Sequence, residues 1–277
     1  MSVAWPSPQR YDCHNNLFFD SVRWVLTTRS YDARPGGVGR EISVVASANA
    51  SFGGWPEAVP VVARGTASEQ LYSMITFRWL DVLLGVVMVF DTAEPSTQGR
   101  VHCRLLYQAP RAANASAPFN FVGGPAGEAV DFIPLGGDGD FDSHICFAAA
   151  HPLPGSSAGE PTRLYYFGGN GPHNGERNSS LGLALLRPDG FASIAAESRG
   201  SAVVATVTVT AAKLSATVDI FSSGGSVRLG ARGVPGLGLA DCSPLTATAT
   251  DAPKLLLMGV AIFRHSSDRS STSILSS

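Results

Sequence analysis

Residues 165–191, YYFGGNGPHNGERNSSLGLALLRPDGF, decide how this chain is read. Tyr165–Phe167 has the aromatic texture of a strand, and a Gly-Gly pair follows it. A polar loop of Gly, Asn, Pro and His comes next. Leu183–Leu186 then resumes as a strand, and Pro188-Asp189-Gly190 closes it with a tight turn. A polar loop hung between two strands either presents chemistry or only reverses the chain. The surrounding sequence has to separate the two.

The same texture recurs outward from this stretch. Short apolar bursts such as VRWVLTTRS, REISVVASA, LYSMITFRW, VLLGVVMVF and VHCRLLY each span about one strand, and turn-forming residues usually separate them. The strongest helix candidate, Ser68–Phe77, is short and aromatic, so an all-β chain is expected. Among 277 residues there are 30 glycines and 18 prolines, and charged side chains make up only 15%, which fits many strands joined by turns. After Arg199 the texture changes to small and β-branched residues, as in GSAVVATVTVTAAKLSATVDI, SVRLGARG and KLLLMGVAIFRH. This shift divides the chain into residues 1–198 and a C-terminal region, 199–277, that reads as a small antiparallel β-sandwich. In the first region, regularly spaced strand groups suit a β-propeller, with a double-sheet sandwich as the competitor.

Bulk properties remove several function classes. A formal net charge of -2 without recurring basic runs gives no electrostatic case for nucleic acid. The apolar runs LLGVVMVF and KLLLMGVAIF are too short to span a bilayer as helices, so no membrane partner is expected. The opening MSVAWPSPQRYD holds no uninterrupted apolar region, and a cytoplasmic location is expected. Cys13, Cys103, Cys146 and Cys242 are widely spaced, with no zinc-knuckle or redox pair. Cys146, inside HICFAAA, reads as a buried thiol, although the even count leaves two disulfides open.

Carboxylates and imidazoles gather near strand ends at four places. YDCHNNLFFD carries Asp12, His14 and Asn15; GGDGDFDSHICF carries Asp138, Asp140, Asp142 and His144; SSAGEPTRLYYF carries Glu160; and the opening stretch carries His173, Glu176 and Arg177. The plain reading of DGDFD is a solvated turn. Its composition resembles a calcium loop but lacks the remaining ligands and the terminal Glu, so an EF-hand-like site is not expected. The residues still admit one structural calcium ion at a propeller axis, and no other cofactor is expected. No H-E-x-x-H spacing occurs, and no serine nucleophile elbow is expected. Glycoside chemistry instead asks for two carboxyl groups facing each other across a cleft, one protonated and one ionised. Asp12, Asp142 and Glu160, with Glu176 as the alternative acid, could come from different blades. Trp24, Trp55, Trp79, Tyr165 and Tyr166 could stack on sugar rings, although most such rings belong to cores.

DCHNNLFFD, REISVVASANASFGGW, DFIPLGGDGDFDSHICF, RLYYFGGNGPHNGERNSSLGLALLRPDGFASI and GLADCSPL together resemble a family of glycosidase-like five-bladed β-propeller proteins. The family falls in the arabinanase, levansucrase and invertase structural superfamily, and several members carry a following β-sandwich. The likeness is strongest from Asp131 to Ile194. It implies a five-bladed propeller over residues 1–198, with Asp12 as base or nucleophile and Asp142 as the aspartate that tunes the acid. Glu160, or Glu176 beside His173, would donate the proton. His14, Asn15, His144, His173 and Arg177 would contact substrate. The leading expectation is a glycoside hydrolase acting on an oligosaccharide or sugar conjugate; the alternative is a carbohydrate-binding or scaffolding propeller that kept the pocket without the chemistry.

Overall fold

The computed structural model describes residues 14–20, 22–32, 39–48, 56, 58–62, 68–79, 82–92, 99–108, 117–123, 128–157, 160–187 and 190–192, together with strand segments 202–208, 226–227, 229–232, 245–246 and 271–276. Every regular element among them is a β-strand. The chain separates into two compact units, Met1–Leu186 and Arg187–Ser277. The boundary expected at residue 198 lies outside the described residues.

In the first unit, β1 (Asn16–Phe19), β2 (Trp24–Asp32), β3 (Gly39–Ser47) and β4 (Val59–Pro60) form an antiparallel sheet in chain order. The β1–β2 turn is fixed by Asp20. Its carboxylate accepts hydrogen bonds from the backbone N–H groups of Val22 and Arg23 at 3.0 and 2.9 Å, and from Arg23 Nε at 3.1 Å. Aspartate serves well here because its short side chain reaches the backbone two and three residues on.

The second sheet contains β5 (Glu69–Trp79), β6 (Val82–Asp91), β7 (Val101–Gln108), β10 (Ile145–Ala148), β11 (Thr162–Gly169) and β12 (Ser179–Leu186), in the order β12-β11-β10-β7-β6-β5. The short strands β8 (Asn120–Phe121) and β9 (Asp131–Ile133) also pair with β7. The helix candidate at Ser68–Phe77 is therefore β5, the partner of β6 from Glu69↔Asp91 to Trp79↔Val82. LYSMITFRW buries five successive side chains, Ser73 to Phe77, and supplies β-branched and aromatic residues, which a sheet covered on both faces accommodates better than a helix of that length does.

Insertion of β10 beside β7 is the least local feature. The two run parallel, with Ile145 opposite Val101 and the Val101 N–H donating to the His144 carbonyl at 2.9 Å. A disulfide joins Cys103 of β7 to Cys146 of β10, with Cα atoms 5.7 Å apart. Cys146 is buried as expected, but as a half-cystine rather than a thiol. The cause is register: Cys146 follows the single bridged residue of β10 and meets a cysteine two positions along β7.

Phe18, Val25, Ile42 and Val44 from the first sheet share one core with Leu71, Met74, Leu83, Val87, Val89 and Leu106 from the second. Burying such side chains stabilises by about 1.5–3 kcal/mol each relative to exposure. Polar pins fix the alignment within this core. Thr27 and Thr76 share a buried 2.9 Å hydroxyl–hydroxyl hydrogen bond, and Asn16 accepts from the Thr76 N–H at 2.9 Å while bonding His151 Nε2 at 3.0 Å.

The second unit contains β13 (Ala202–Thr208), β14 (Ser226–Val227), β15 (Leu229–Arg232), β16 (Leu245–Thr246) and β17 (Ser271–Ser276). They form a three-stranded sheet, β13-β17-β15, and a two-stranded one, β14-β16, and every pairing is antiparallel.

Candidate functional site

Strand alternation sends one set of side chains from several strands to a common place. β2 supplies Arg29, β3 Arg40, β5 Tyr72, β6 Phe90 and β10 Phe147; His14 precedes β1, and His173 stands on the loop between β11 and β12. Tyr72 is the hub. Its ring lies 4.8 Å from His173, 5.3 Å from Phe147 and 5.6 Å from His14, centroid to centroid. His14 stacks on Phe147 at 5.2 Å with planes 10° apart, and Phe90 lies 4.8 Å from His173. Two guanidinium groups approach the same rings. Arg29 is 4.3 Å from the Tyr72 centroid, and Arg40 is 5.4 Å from Tyr72 and 5.6 Å from Phe90. A cation over an aromatic face is attracted by the ring quadrupole, more strongly as water is excluded. Arg29 is buried.

Backbone geometry marks this place independently. His14 has φ 62°, in the left-handed region that side chains other than glycine rarely occupy. Such conformations persist where surrounding contacts over-determine them, and they concentrate at ligand clamps and active sites. The His173 loop is closed at its base by Asn170 and Asn178. Asn170 N–H donates to the Asn178 carbonyl at 3.1 Å, and Asn178 N–H donates to Asn170 Oδ1 at 2.9 Å. Arg177 Nη1 clasps the loop from within, donating to the carbonyls of Pro172 and His173 at 3.1 and 2.6 Å. Burial, followed by the positive charges of Arg177, Arg40, Arg29 and His14, lowers the His173 pKa to about 4. The imidazole is therefore neutral at pH 7.

Of the nine site residues expected from sequence, His14 and His173 meet in this cluster. Asn15 accepts from the Thr28 hydroxyl at 2.5 Å, steadying the segment that carries His14. Asp12 lies outside the described residues, as does Trp55. Asp142 is buried, and its Oδ2 accepts a 2.6 Å hydrogen bond from the Tyr166 hydroxyl. Gly168 makes this fit: a Cβ there would stand 2.5 Å from the Cβ of Asp142. Burial first, then the bond to Asp142 and its charge, raises the Tyr166 pKa to about 12. His144 bonds the Ser143 hydroxyl at 3.0 Å, and its N–H ties β10 to the Gly169 carbonyl. Glu160 clamps a surface turn, accepting from the N–H and hydroxyl of Ser156 at 2.9 and 2.7 Å. Those bonds lower its pKa, opposite to the shift that suits a general acid. Glu176 and Arg177 are exposed on the His173 loop. Trp24 packs on Phe19 at 5.4 Å, while Tyr165 is exposed.

Sequence reasoning did not single out Arg29, Arg40, Tyr72, Phe90 or Phe147. A usable signal was present in WVLTTRSY and GREISVV, where an arginine interrupts an apolar strand pattern. Arginine is almost never fully buried without a partner, so such a position asks for one.

On the opposite face of the second sheet, His102 Nδ1 meets Asp131 Oδ2 at 2.7 Å. Arg104 reaches Glu69 at 2.8 Å and Asp131 at 3.5 Å. These ion pairs tie β9 and the start of β5 to β7. Among the described residues, no group of three or more His, Cys, Asp or Glu side chains is placed to hold a metal ion. No described helix is long and apolar enough to cross a membrane.

No protein-family model matches the chain, and no curated protein does. Solved structures are similar to parts of this chain at low identity. An N-acetylgalactosamine deacetylase from F. plautii, in complex with blood group B trisaccharide, is 15% identical over 67% of this chain and 52% of its own, with a TM-score of 0.44. A candidate glycosidase from Bacteroides thetaiotaomicron is 13% identical over 64% of this chain and 50% of its own, with a TM-score of 0.40. A structure from the GH130 family of mannoside phosphorylases, described as containing glycoside hydrolases that target β-1,2-mannosidic linkages in Candida mannan, is 15% identical over 62% of this chain and 46% of its own, with a TM-score of 0.40. The chain spans about half the length of these three structures.

Proposed function

We propose that this protein recognises carbohydrate, and that the sugar is held at the Tyr72 cluster. The single observation behind this reading is the convergence of His14, Tyr72, Phe90, Phe147 and His173, from five separate segments, with two arginines against their rings. Rings offer the apolar faces of a sugar a stacking surface, and guanidinium and imidazole groups offer hydrogen bonds to its oxygens. A few convergent polar groups in an aromatic lining are what small-ligand sites generally present. The architecture that suits this reading is the five-bladed propeller that the sequence resembles, with residues 199–277 as a following sandwich-like region. Titration calorimetry with a glycan panel tests it: binding by the wild type that is lost in Phe147→Ala supports it, and binding unaffected by that change removes it.

Hydrolysis is the second reading, and one observation favours it. Asp12 stands two residues before His14, whose side chain belongs to the cluster. Cleavage needs two carboxyl groups around the glycosidic oxygen. Asp142 is engaged by Tyr166 and Glu160 by Ser156, so Asp12 and Glu176 are the pair to test. Turnover of aryl-glycosides by the wild type that falls in both Asp12→Asn and Glu176→Gln would establish the enzyme.

A further inference from the structure

His173 Nδ1 and Arg40 Nε are shielded from solvent, and neither has a hydrogen-bond partner. Arg40 uses Nη1 on Gln70 Oε1 at 2.6 Å, which leaves the Nε edge of its fork over. Both residues lie against the same two rings. His173 is 4.8 Å from Tyr72 and from Phe90, and Arg40 is 5.4 and 5.6 Å from them.

A shielded donor without an acceptor is costly, so such atoms are rare unless a ligand or catalytic role accounts for them. With the His173 proton on Nδ1 both atoms are donors, and a neutral sugar hydroxyl would serve one of them and bring a proton needing its own acceptor. A carboxylate brings two acceptor oxygens, a planar shape that matches a guanidinium edge, and a charge that the site favours.

Resting on the carbohydrate reading above, the geometry points to an acidic saccharide as the ligand: a sugar bearing a carboxylate, as in a uronic acid, with that group received by Arg40 Nε and His173 Nδ1. The groups that act electrostatically on His173, namely Arg177, Arg40, Arg29 and His14, all carry or can take positive charge, which suits the same ligand. Neutral His173 in its Nδ1–H tautomer donates without needing to be protonated. Because solvent reaches neither atom, entry of the carboxylate requires the Asn170–Asn178 loop to shift.

The test is calorimetry on the full chain with oligogalacturonate, oligomannuronate and glucuronate-capped glycans. Each is matched to its carboxyl-reduced neutral counterpart, with inorganic sulfate and inorganic phosphate as further arms. The expected result is that at least one acid binds about tenfold or more tighter than its reduced counterpart. Arg40→Gln should remove that preference, while Arg40→Lys, which keeps the charge but not the planar edge, should retain only part of it. The comparison of acid with reduced sugar needs only wild-type protein, so a poorly folded variant does not spoil it. Equal binding of acid and reduced forms overturns the acidic ligand and leaves the carbohydrate site standing. Binding of phosphate or sulfate without any saccharide overturns it in favour of a free inorganic anion. Binding of nothing overturns both readings.

Discussion

The Tyr166 hydroxyl donates a 2.6 Å buried hydrogen bond to the Asp142 carboxylate. This pair ties the GGDGDFDSH turn to the neighbouring strand β11. Tyr166→Phe would leave a buried carboxylate short of a donor, and the expected loss is about 1–3 kcal/mol of stability. Sugar affinity should stay unchanged. Urea denaturation and calorimetry on the same variant check both halves, and a fall in affinity at unchanged stability would move Asp142 into the binding site.

The same bond predicts alkaline behaviour. Tyr166 holds its proton to about pH 12, whereas an unfolded tyrosine releases it near its ordinary value of 10.0. Between those values the folded chain binds more protons than the unfolded one, so stability falls as pH rises through this window. Ultraviolet phenolate titration should show one tyrosine ionising late or only on unfolding, and Tyr166→Phe should lose that late step.

Acid acts through His173. Its pKa is about 4 in the fold against 6.5 for the free side chain, chiefly because of burial and then the charges of Arg177, Arg40, Arg29 and His14. The unfolded chain therefore binds the extra proton as pH falls below about 6.5, and stability declines from there until pH is about 4. His151, held low by burial, adds to the decline in the same direction. Denaturant midpoints measured at pH 7 and pH 5 should move further apart in the wild type than in His173→Gln. Equal separation in the two proteins would contradict the burial of this imidazole.

The disulfide between Cys103 and Cys146 closes a sequence separation of 43. In the chain-entropy account a loop of that size contributes about 4 kcal/mol. Replacing both cysteines by serine should lower the melting temperature, and reduction of the wild type should act in the same direction. Such bridges persist in oxidising compartments, while the opening residues led to the expectation of a cytoplasmic location. Thiol counting on protein taken from its native source, before and after reduction, tests the bridge and the location together.

Strand content was readable because it is local. VLLGVVMVF and LYSMITFRW carry β-branched and aromatic residues at strand length, and they became β6 and β5. The loop of the opening stretch was readable too, since Gly-Gly and Pro-His interrupt its strands. Asp142 looked interesting in sequence because a strand follows it. A single chain of letters could not reveal Tyr166 as its partner, 24 residues away. The parallel seat of β10 beside β7 rests on one bridged residue pair and a disulfide, neither of which has a periodic signature. Arg29, Arg40, Tyr72, Phe90 and Phe147 come from five different strands and meet only through register, so the centre of the site was hidden even though His14 and His173 at its rim were named.

The most direct test of the account is titration calorimetry of the glycan panel against wild type, Tyr72→Ala and Tyr72→Phe. Tyr72 joins both histidines, Phe147 and both guanidinium groups. The account predicts binding by the wild type, a loss of about tenfold or more in Tyr72→Ala, and near-wild-type affinity in Tyr72→Phe, which keeps the ring. A glycan that binds equally well to a folded Tyr72→Ala protein would place the sugar elsewhere and contradict the account.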